Sequence, residues 1–289
     1  LLFPAAFYHD DLERMNVPWH WHEELEVIYV SSGETVISAG LQKYQLHEGQ
    51  AVFLNSNVLH ACKGKAGTNC RYHSIVFHSR LISGGSDTIY WQNYMRPLIA
   101  SGPKSVVFDG SIFWHREAQD AIERAWQEGA HDAPGFELRV RNALSDLIGL
   151  LVSQTPATVK PISPKLLRDG TRIRQMLQFI ERHYGETVTI ADIASSASVS
   201  ESECLRCFRS IIGMSPIQYV KQFRIQRACE LLSSSEEKIG TIASLCGFDD
   251  TSYFSRAFRE AKGITPKEYR NAAAPGEWPA WRRAPSAPR

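Results

Sequence analysis

No stretch of the chain approaches the roughly 18 unbroken apolar residues of a membrane-spanning helix, so none is expected. A disulfide framework is missing as well. The six cysteines (Cys62, Cys70, Cys204, Cys207, Cys229, Cys246) follow no regular spacing. Cys204 and Cys207 stand three apart, yet no second Cys or His pair lies at zinc-finger distance, so they read as small buried hydrophobes in a reducing cytoplasm. The opening LLFPAAFYHDDLERM lacks the basic flank and apolar run of a secretory signal. It also lacks an initiator methionine, as expected of a chain trimmed at its start. Finally, no charge of one sign dominates: 32 Lys and Arg against 31 Asp and Glu leave a net +1. That charge is unevenly spread. Residues 1–171 hold 15 basic against 18 acidic residues, and residues 172–289 hold 17 against 13. The basic excess therefore sits in the second part, the side suited to a polyanion.

A length of 289 residues predicts two domains. From Pro18 to Phe77, short alternating or apolar runs (LEVIYV, TVISAG, QAVFLNSN, YHSIVFH) are broken by turn residues, the pattern of an all-β barrel or sandwich. A helical stretch is expected near Tyr90–Ala100. A helical hairpin follows over 112–129 and 136–152, broken between Gly129 and Gly135. Its second helix carries Val140, Leu144, Leu147, Ile148 and Leu151 on one stripe. This hairpin has two compatible readings, a cap on the open face of the barrel and a homodimer contact through the Leu144–Leu151 stripe. Residues 153–170, with three prolines, read as a linker, and the Ala/Pro/Arg-rich residues 272–289 as a disordered tail. The expected domains are thus 1–110, 111–152, 153–170, 171–271 and 272–289.

The region 171–271 contains one helical paragraph written twice, as ADIASSASVSESECLRCFRSIIGMSPIQYV from Ala191 and GTIASLCGFDDTSYFSRAFREAKGITPKEYR from Gly240. Ile193-Ala194 answers Ile242-Ala243, Arg206 answers Arg256 and Phe208 answers Phe258. Gly213, Pro216 and Tyr219 likewise answer Gly263, Pro266 and Tyr269. The offset is 49 before the turn and 50 after it, so the second turn is one residue longer. Two copies are too few for a solenoid. Short helices at about 190–197 and 239–246, each followed by a turn and a longer helix, describe two helix-turn-helix units instead. Ser200 and Glu203 form a capping-box pattern, and Asp249 and Asp250 offer the cap of the second copy. Gly213 and Gly263 stop the helices, Pro216 and Pro266 open the next ones, and 217–234 is a linking helix.

With Cys204, Cys207, Phe208 and Phe254, Ala257, Phe258 facing inward, the outer faces carry Ser202, Leu205, Arg206 and Arg209 in one copy. The other copy presents Thr251, Ser252, Ser255, Arg256 and Arg259. Arginine has the fork for guanine O6 and N7, and hydroxyls serve bases or phosphates. Helices held about 34 Å apart would enter successive major grooves. The run GMSPIQYVKQFRIQRACELL followed by IGTIASLCGFDDTSYFSRAFREAKGITPKEYR resembles the signature of AraC/XylS-type transcription regulators. The resemblance covers all of 171–271. It implies a seven-helix domain whose base-reading positions fall on Ser202, Leu205, Arg206, Thr251, Ser252, Ser255 and Arg256. Leu205 departs from the pattern, since an apolar side chain there touches only a thymine methyl.

The second constellation is His20-Trp-His22-Glu-Glu-Leu-Glu26, then Gly33, then His60 beyond a strand pair. Alternation places His20 and His22 on one strand face, and His60 meets them across a small barrel. Three imidazoles and a carboxylate form a ligand set for Zn, Fe, Mn or Ni, or a hydrogen-bonding pocket for a small molecule, or satisfied histidines at a strand end. The spacing resembles the first motif of cupin barrels. In the second motif Gly49 and His60 fit, while Asn55-Ser-Asn57 stands where a proline is usual. Cupin domains of AraC-like regulators bind effectors without chemistry, so the resemblance implies an effector pocket at His20, His22, Glu26 and His60, with no cofactor required and a metal at the same four residues as the alternative. Trp19, Trp21 and Tyr29 would suit stacking on a sugar or aromatic effector.

The expectation is an α+β two-domain chain, with an N-terminal cupin-like β-barrel and helical hairpin and a C-terminal all-α double helix-turn-helix domain. It is a cytoplasmic, non-enzymatic, homodimeric, effector-responsive transcription regulator. Its partners are promoter DNA, a small molecule and, for an activator, RNA polymerase, with no membrane. The rivals are a metal-dependent cupin enzyme with an accessory DNA domain and an effector-independent DNA binder.

Overall fold

The computed structural model describes residues 3–12, 16–65, 69–155 and 164–272. They fall into two compact units, the described residues up to 155 and those from 164 onward. The first unit contains strands β1 (Ala5–Asp11), β2 (Val17–His20), β3 (Leu25–Ser32), β4 (Glu34–Ala39), β5 (Gln42–His47), β6 (Ala51–Leu54), β7 (His60–Gly64), β8 (Arg71–Phe77) and β9 (Ser105–Phe108). A five-stranded sheet runs β1-β8-β3-β6-β9 and a four-stranded sheet runs β2-β7-β4-β5, with every pairing antiparallel.

Period-two alternation gives the larger sheet two apolar faces. Ile28, Val30, Val52, Leu54 and Tyr72 pack with Ile37, Ala39, Leu46 and Cys62 of the smaller sheet, filling the barrel interior. Their neighbours Leu25, Val27, Ala51, Phe53, Ile75 and Phe77 form a second core with residues of two long helices, α3 (Phe113–His131) and α4 (Phe136–Gln154). Buried on both faces, β6 reads as the continuous apolar run Ala-Val-Phe-Leu. Between β8 and β9 lie the short helix α1 (Arg80–Ser83), a π-helical turn (Trp91–Met95) and α2 (Arg96–Ser101), which realises the helical stretch near 90–100.

The hairpin corrects two expectations. It covers the outer face of the five-stranded sheet, not the barrel mouth. Val140, Leu144, Leu147, Ile148 and Leu151 are all buried there, so the stripe is spent inside the unit and offers no homodimer contact. In addition, α3 continues through Gly129 to His131. A side chain at Gly129 would fall 2.2 Å from the Phe7 ring, so the glycine is a packing residue and not a helix breaker.

Every regular element among the described residues of the second unit is helical: α5 (Pro164–His183), α6 (Ile190–Ser196), α7 (Glu201–Cys207) continued by a π-helical turn (Phe208–Ile212), α8 (Pro216–Ser234), α9 (Ile239–Leu245), α10 (Thr251–Lys262) and α11 (Pro266–Ala272). The expected linker is therefore helical from Pro164 onward. Proline is tolerated in a first helical turn, and Gly170 in the interior costs only about 1 kcal/mol, which packing overrides. The remaining linker residues 156–163 and the tail 273–289 lie outside the described residues. No helix among the described residues is long and apolar enough to cross a membrane.

Candidate nucleic-acid interface and barrel site

Each helix-turn-helix unit is fixed by local chemistry. Thr189 caps α6 reciprocally with Asp192, and Ser215 does the same for α8 with Gln218. Gly213 and Gly263 end the reading helices in the left-handed region, at φ 83° and 77°. The turns between paired helices need one left-handed residue, supplied by Ser198 in the first copy and Gly247 in the second. Cys204, Cys207, Phe208 and Phe254, Ala257, Phe258 are buried as the repeat requires.

One cap departs from the sequence pattern. Ser200 accepts from the Glu203 amide, but the Glu203 carboxylate does not return to the cap. It receives Arg206 instead, with Nε donating to Oε2 at 2.8 Å and Nη2 to Oε1 at 2.7 Å. Arg206 Nη2 also donates to both oxygens of buried Asp169 at 2.9 Å, and Arg172 Nη1 lies 2.9 Å from Glu203 Oε1. Glu203 first and Asp169 second raise the pKa of Arg206. Asp169, Glu203 and Cys207 converge closely enough for a metal ion, but their cations are these two arginines.

The residues expected to meet DNA lie on the outer faces of α7 and α10. Ser202, Leu205, Arg206, Arg209 and Ser210 line one shallow depression on the first reading helix. On the second, Thr251, Ser252, Arg256 and Arg259 are exposed, and Ser255 is half-buried with its hydroxyl donating to Thr251 O at 2.9 Å. Among the described residues Arg256 forms no ion pair. The two arginines, equivalent in the repeat, are in unlike states.

In the barrel, His20, His22, Glu26 and His60 come together, with four ligand atoms all within 4.8 Å of one another. His20 pairs with His60 across β2 and β7, and Glu26 shares the inward face of β3 with Ile28 and Val30. His22 lies just past the end of β2, held where Asn57 N donates to His22 O at 2.9 Å and Ser56 Oγ to Glu23 O at 2.7 Å. Asn55 anchors the same turn on Leu98 O and Pro103 O. Asn55-Ser56-Asn57 thus replaces proline stiffness with hydrogen bonds. The aromatic expectation fails at Tyr29, which packs with the helix-facing core, on the side opposite Glu26.

Each imidazole approaches a carbonyl through Nδ1: His20 to Pro18 O at 2.9 Å, His22 to Glu24 O at 3.1 Å, His60 to Val58 O at 2.8 Å. A carbonyl only accepts, so every Nδ1 carries a proton; a neutral ring then turns its Nε2 lone pair to the cluster, and a charged ring donates from Nε2 to Glu26. Glu26 Oε2 lies 3.3 Å from His22 Nε2 and 2.8 Å from His60 Nε2, the latter out of line for a hydrogen bond, leaving His60 Nε2 buried without a partner. Burial, then the neighbouring His60, bring His20 down to about 3. Burial opposes ionisation of Glu26, yet His22 and His60 hold it well below the carboxylate range. Burial likewise opposes charging His22, and Glu26 overrides it, raising its pKa. Lone pairs and a carboxylate at these distances repel unless a proton or cation lies among them. The donor set and the orphaned Nε2 fit a divalent transition metal, with the backbone carbonyls orienting the ligands.

The comparisons agree with both domains. The family model for a helix-turn-helix domain matches residues 193–272, and that for a cupin domain matches residues 13–76. An uncharacterised HTH-type transcriptional regulator of Bacillus subtilis, YdeC, is 29% identical over 255 residues, covering 88% of this chain and 86% of that one. The HTH-type transcriptional activator RhaR of Yersinia pestis is 35% identical over 105 residues, 36% of each chain. The crystal structure of an apo ToxT variant from Vibrio cholerae covers 94% of this chain and 98% of that one, at 14% identity and TM-score 0.51, a likeness of fold. Paired helix-turn-helix units behind a cupin barrel define a DNA-binding transcription regulator. Within that class the chain is similar to the AraC/XylS-type regulators with an N-terminal cupin domain.

Proposed function

We propose that the chain is a cytoplasmic one-component regulator that reads promoter DNA with the outer faces of α7 and α10 and senses its effector at His20, His22, Glu26 and His60. The DNA contacts assigned are Ser202, Leu205 and Arg209 on the first helix, and Thr251, Ser252, Ser255, Arg256 and Arg259 on the second. The exposed fork of Arg256, which forms no ion pair among the described residues, carries this reading. An operator is selected from randomised duplexes and bound by the full chain at fixed salt. Arg256→Ala then costs about 1–3 kcal/mol and relaxes preference at one base pair. Unchanged affinity and preference would refute the assignment.

Four donor atoms within 4.8 Å enclose room for one ligand atom, not a sugar ring, and the barrel beyond them is filled by Ile28, Val30, Leu46 and Val52. The sensed species is therefore an effector engaged through a single polar atom. The orphaned His60 Nε2 favours a second reading, in which that atom is a divalent transition metal held by the same residues. Such a metal would supply Lewis acidity or an open coordination position for an effector. The chain itself supplies orientation, through Pro18, Glu24 and Val58 carbonyls, and a neutral His20. Protein purified without a histidine tag should carry close to one Zn, Fe, Mn or Ni per chain by elemental analysis, and Glu26→Gln should lose it. Metal-free protein whose thermal midpoint ignores both chelator and added metal would remove this second reading. Binding without turnover accords with the relatives, which are named as transcription regulators.

A further inference from the structure

The two reading helices sit on equivalent partners. Helix α5 packs on α6 and α7 as α8 packs on α9 and α10. Buried Ile173, Met176, Leu177 and Ile180 of α5 have the spacing of Ile225, Ala228, Cys229 and Leu232 of α8. The repeat therefore extends back through the supporting helices. Asp169, four residues before Ile173, occupies the place of Lys221, four before Ile225. The charge at that place is reversed. Lys221 Nζ donates to Glu260 Oε2 at 2.7 Å, and Glu260 stands where the first copy has Ser210.

The consequence falls on Arg206. A guanidinium offers five N–H groups, and a bidentate fork is made either by Nε with Nη2 or by Nη1 with Nη2. Glu203 and Asp169 occupy Nε and both hydrogens of Nη2. Either fork needs Nη2, so neither is open to guanine O6 and N7. With Arg172 added, the four side chains also sum to no net charge, and a phosphate meets a neutral patch. We propose that Asp169 and Glu203 set the specificity of the first helix-turn-helix unit by withdrawing Arg206 from base readout. The first unit then reads through Ser202, Leu205 and Arg209, and arginine-to-guanine recognition belongs to the second unit through Arg256. Asp169 and Arg206 are positioning residues that fasten the reading helix α7 to α5.

This inference rests on the DNA-reading assignment, and Arg256→Ala distinguishes the two. On the selected operator, Arg256→Ala should weaken binding about tenfold or more. Arg206→Ala should change Kd by less than about threefold and alter no base preference, while lowering the thermal midpoint of the helical unit because Asp169 loses its cation. Asp169→Asn should open the fork and add a guanine preference of about 5- to 150-fold at one position of the first half-site. That gain should vanish in Asp169→Asn/Arg206→Ala. Glu203→Gln, at the less buried of the two carboxylates, should give the same gain and serves if Asp169→Asn loses its helical signal. Two results overturn the proposal. One is loss of a first-half-site base preference in Arg206→Ala, with Asp169→Asn behaving alike. The other is a full-length, folded Asp169→Asn or Glu203→Gln with an unchanged base profile. If Arg256→Ala is silent as well, the reading faces themselves are misassigned.

Discussion

Replacing Gly247 by alanine tests the turn that sets the second reading helix. Gly247 sits at φ 74°, where an alanine costs about 1–2 kcal/mol from its Cβ alone. The added carbon would lie 2.5 Å from the Tyr184 carbonyl oxygen and 2.8 Å from the Arg224 guanidinium. The carbonyl is backbone and cannot swing aside. Arg224 can, but at the expense of its bonds from Nε to Tyr184 O at 2.8 Å and from Nη2 to Glu186 O at 2.6 Å. Overpacking of this kind costs about 1–3 kcal/mol. Half-exposed Arg224 loses about 1 kcal/mol more once water replaces its partners. The sum is about 3–6 kcal/mol, or roughly 15–30 °C in the midpoint of a domain this size. Gly213 and Gly263 are the internal controls. They share the positive φ, at 83° and 77°, but a Cβ on either meets nothing within 4 Å, so alanine there costs only the conformational part. Far-UV circular dichroism during heating follows the helices, most of whose residues lie in the second unit. Five of the seven tryptophans, Trp19, Trp21, Trp91, Trp114 and Trp126, lie in the barrel unit, so with Trp278→Phe and Trp281→Phe in the background their fluorescence reports that unit separately. Equal midpoints for Gly247→Ala and Gly263→Ala would refute the steric argument.

Leu144→Ala should cost the barrel unit about 2–5 kcal/mol by tryptophan fluorescence, whereas exposed Leu138→Ala stays within about 0.5 kcal/mol. Dissociation of an oligomer by Leu144→Ala without loss of stability would restore the stripe as a contact surface. His73 gives a pH dependence. Burial, then His9, bring its pKa down to about 4, with Tyr29, Trp126 and Glu123 packed around it and Glu123 Oε1 3.4 Å away. The unfolded imidazole binds its proton near 6.5, so between about 6.5 and 4 the unfolded chain holds more protons. Stability is then complete above about pH 7 and falls by about 1 kcal/mol on going to about pH 5.5. Glu123, whose pKa burial raises, titrates in the opposite sense and shallows the slope. His73→Leu should flatten the midpoint-versus-pH curve of the barrel unit, and an unaltered slope would contradict it.

The parts of this chain legible from sequence are those fixed by chemistry within a few residues. Ser200, Asp250, Gly213 and Gly263 announce helix ends because their partners stand three to five positions away. The His20/His22/Glu26 spacing announces convergence because strand alternation is local, and only His60 had to be brought by topology. What failed was longer in range. The α4 stripe was visible as a stripe, but its destination, the outer face of the five-stranded sheet, depends on how that sheet divides its two apolar faces. Tyr29 beside the histidines in sequence is across the sheet from Glu26 in space. The linker looked unstructured because Pro164 and Gly170 are breakers by propensity, and the buried face of Ile173, Met176 and Ile180 outweighs them.

The hidden helix is also what separates the two arginines. From sequence, Arg206 and Arg256 are equivalent, on matching helices, with matching apolar neighbours. A capping pattern at Ser200 and Glu203 even assigns the nearest carboxylate to another task. The decisive partner, Asp169, stands 37 residues upstream of Arg206, inside the stretch that propensity assigned to a linker. Once α5 is seen to support α7 as α8 supports α10, the comparison that failed for the reading helices succeeds for their supports. Asp169 aligns with Lys221, one sign against the other. A duplicated domain keeps its packing residues because both copies must fold. It is free to reverse a charge on a supporting helix, because that changes only what the reading arginine is bound to, and the divergence of the two heads is therefore to be sought one helix behind the face that meets DNA.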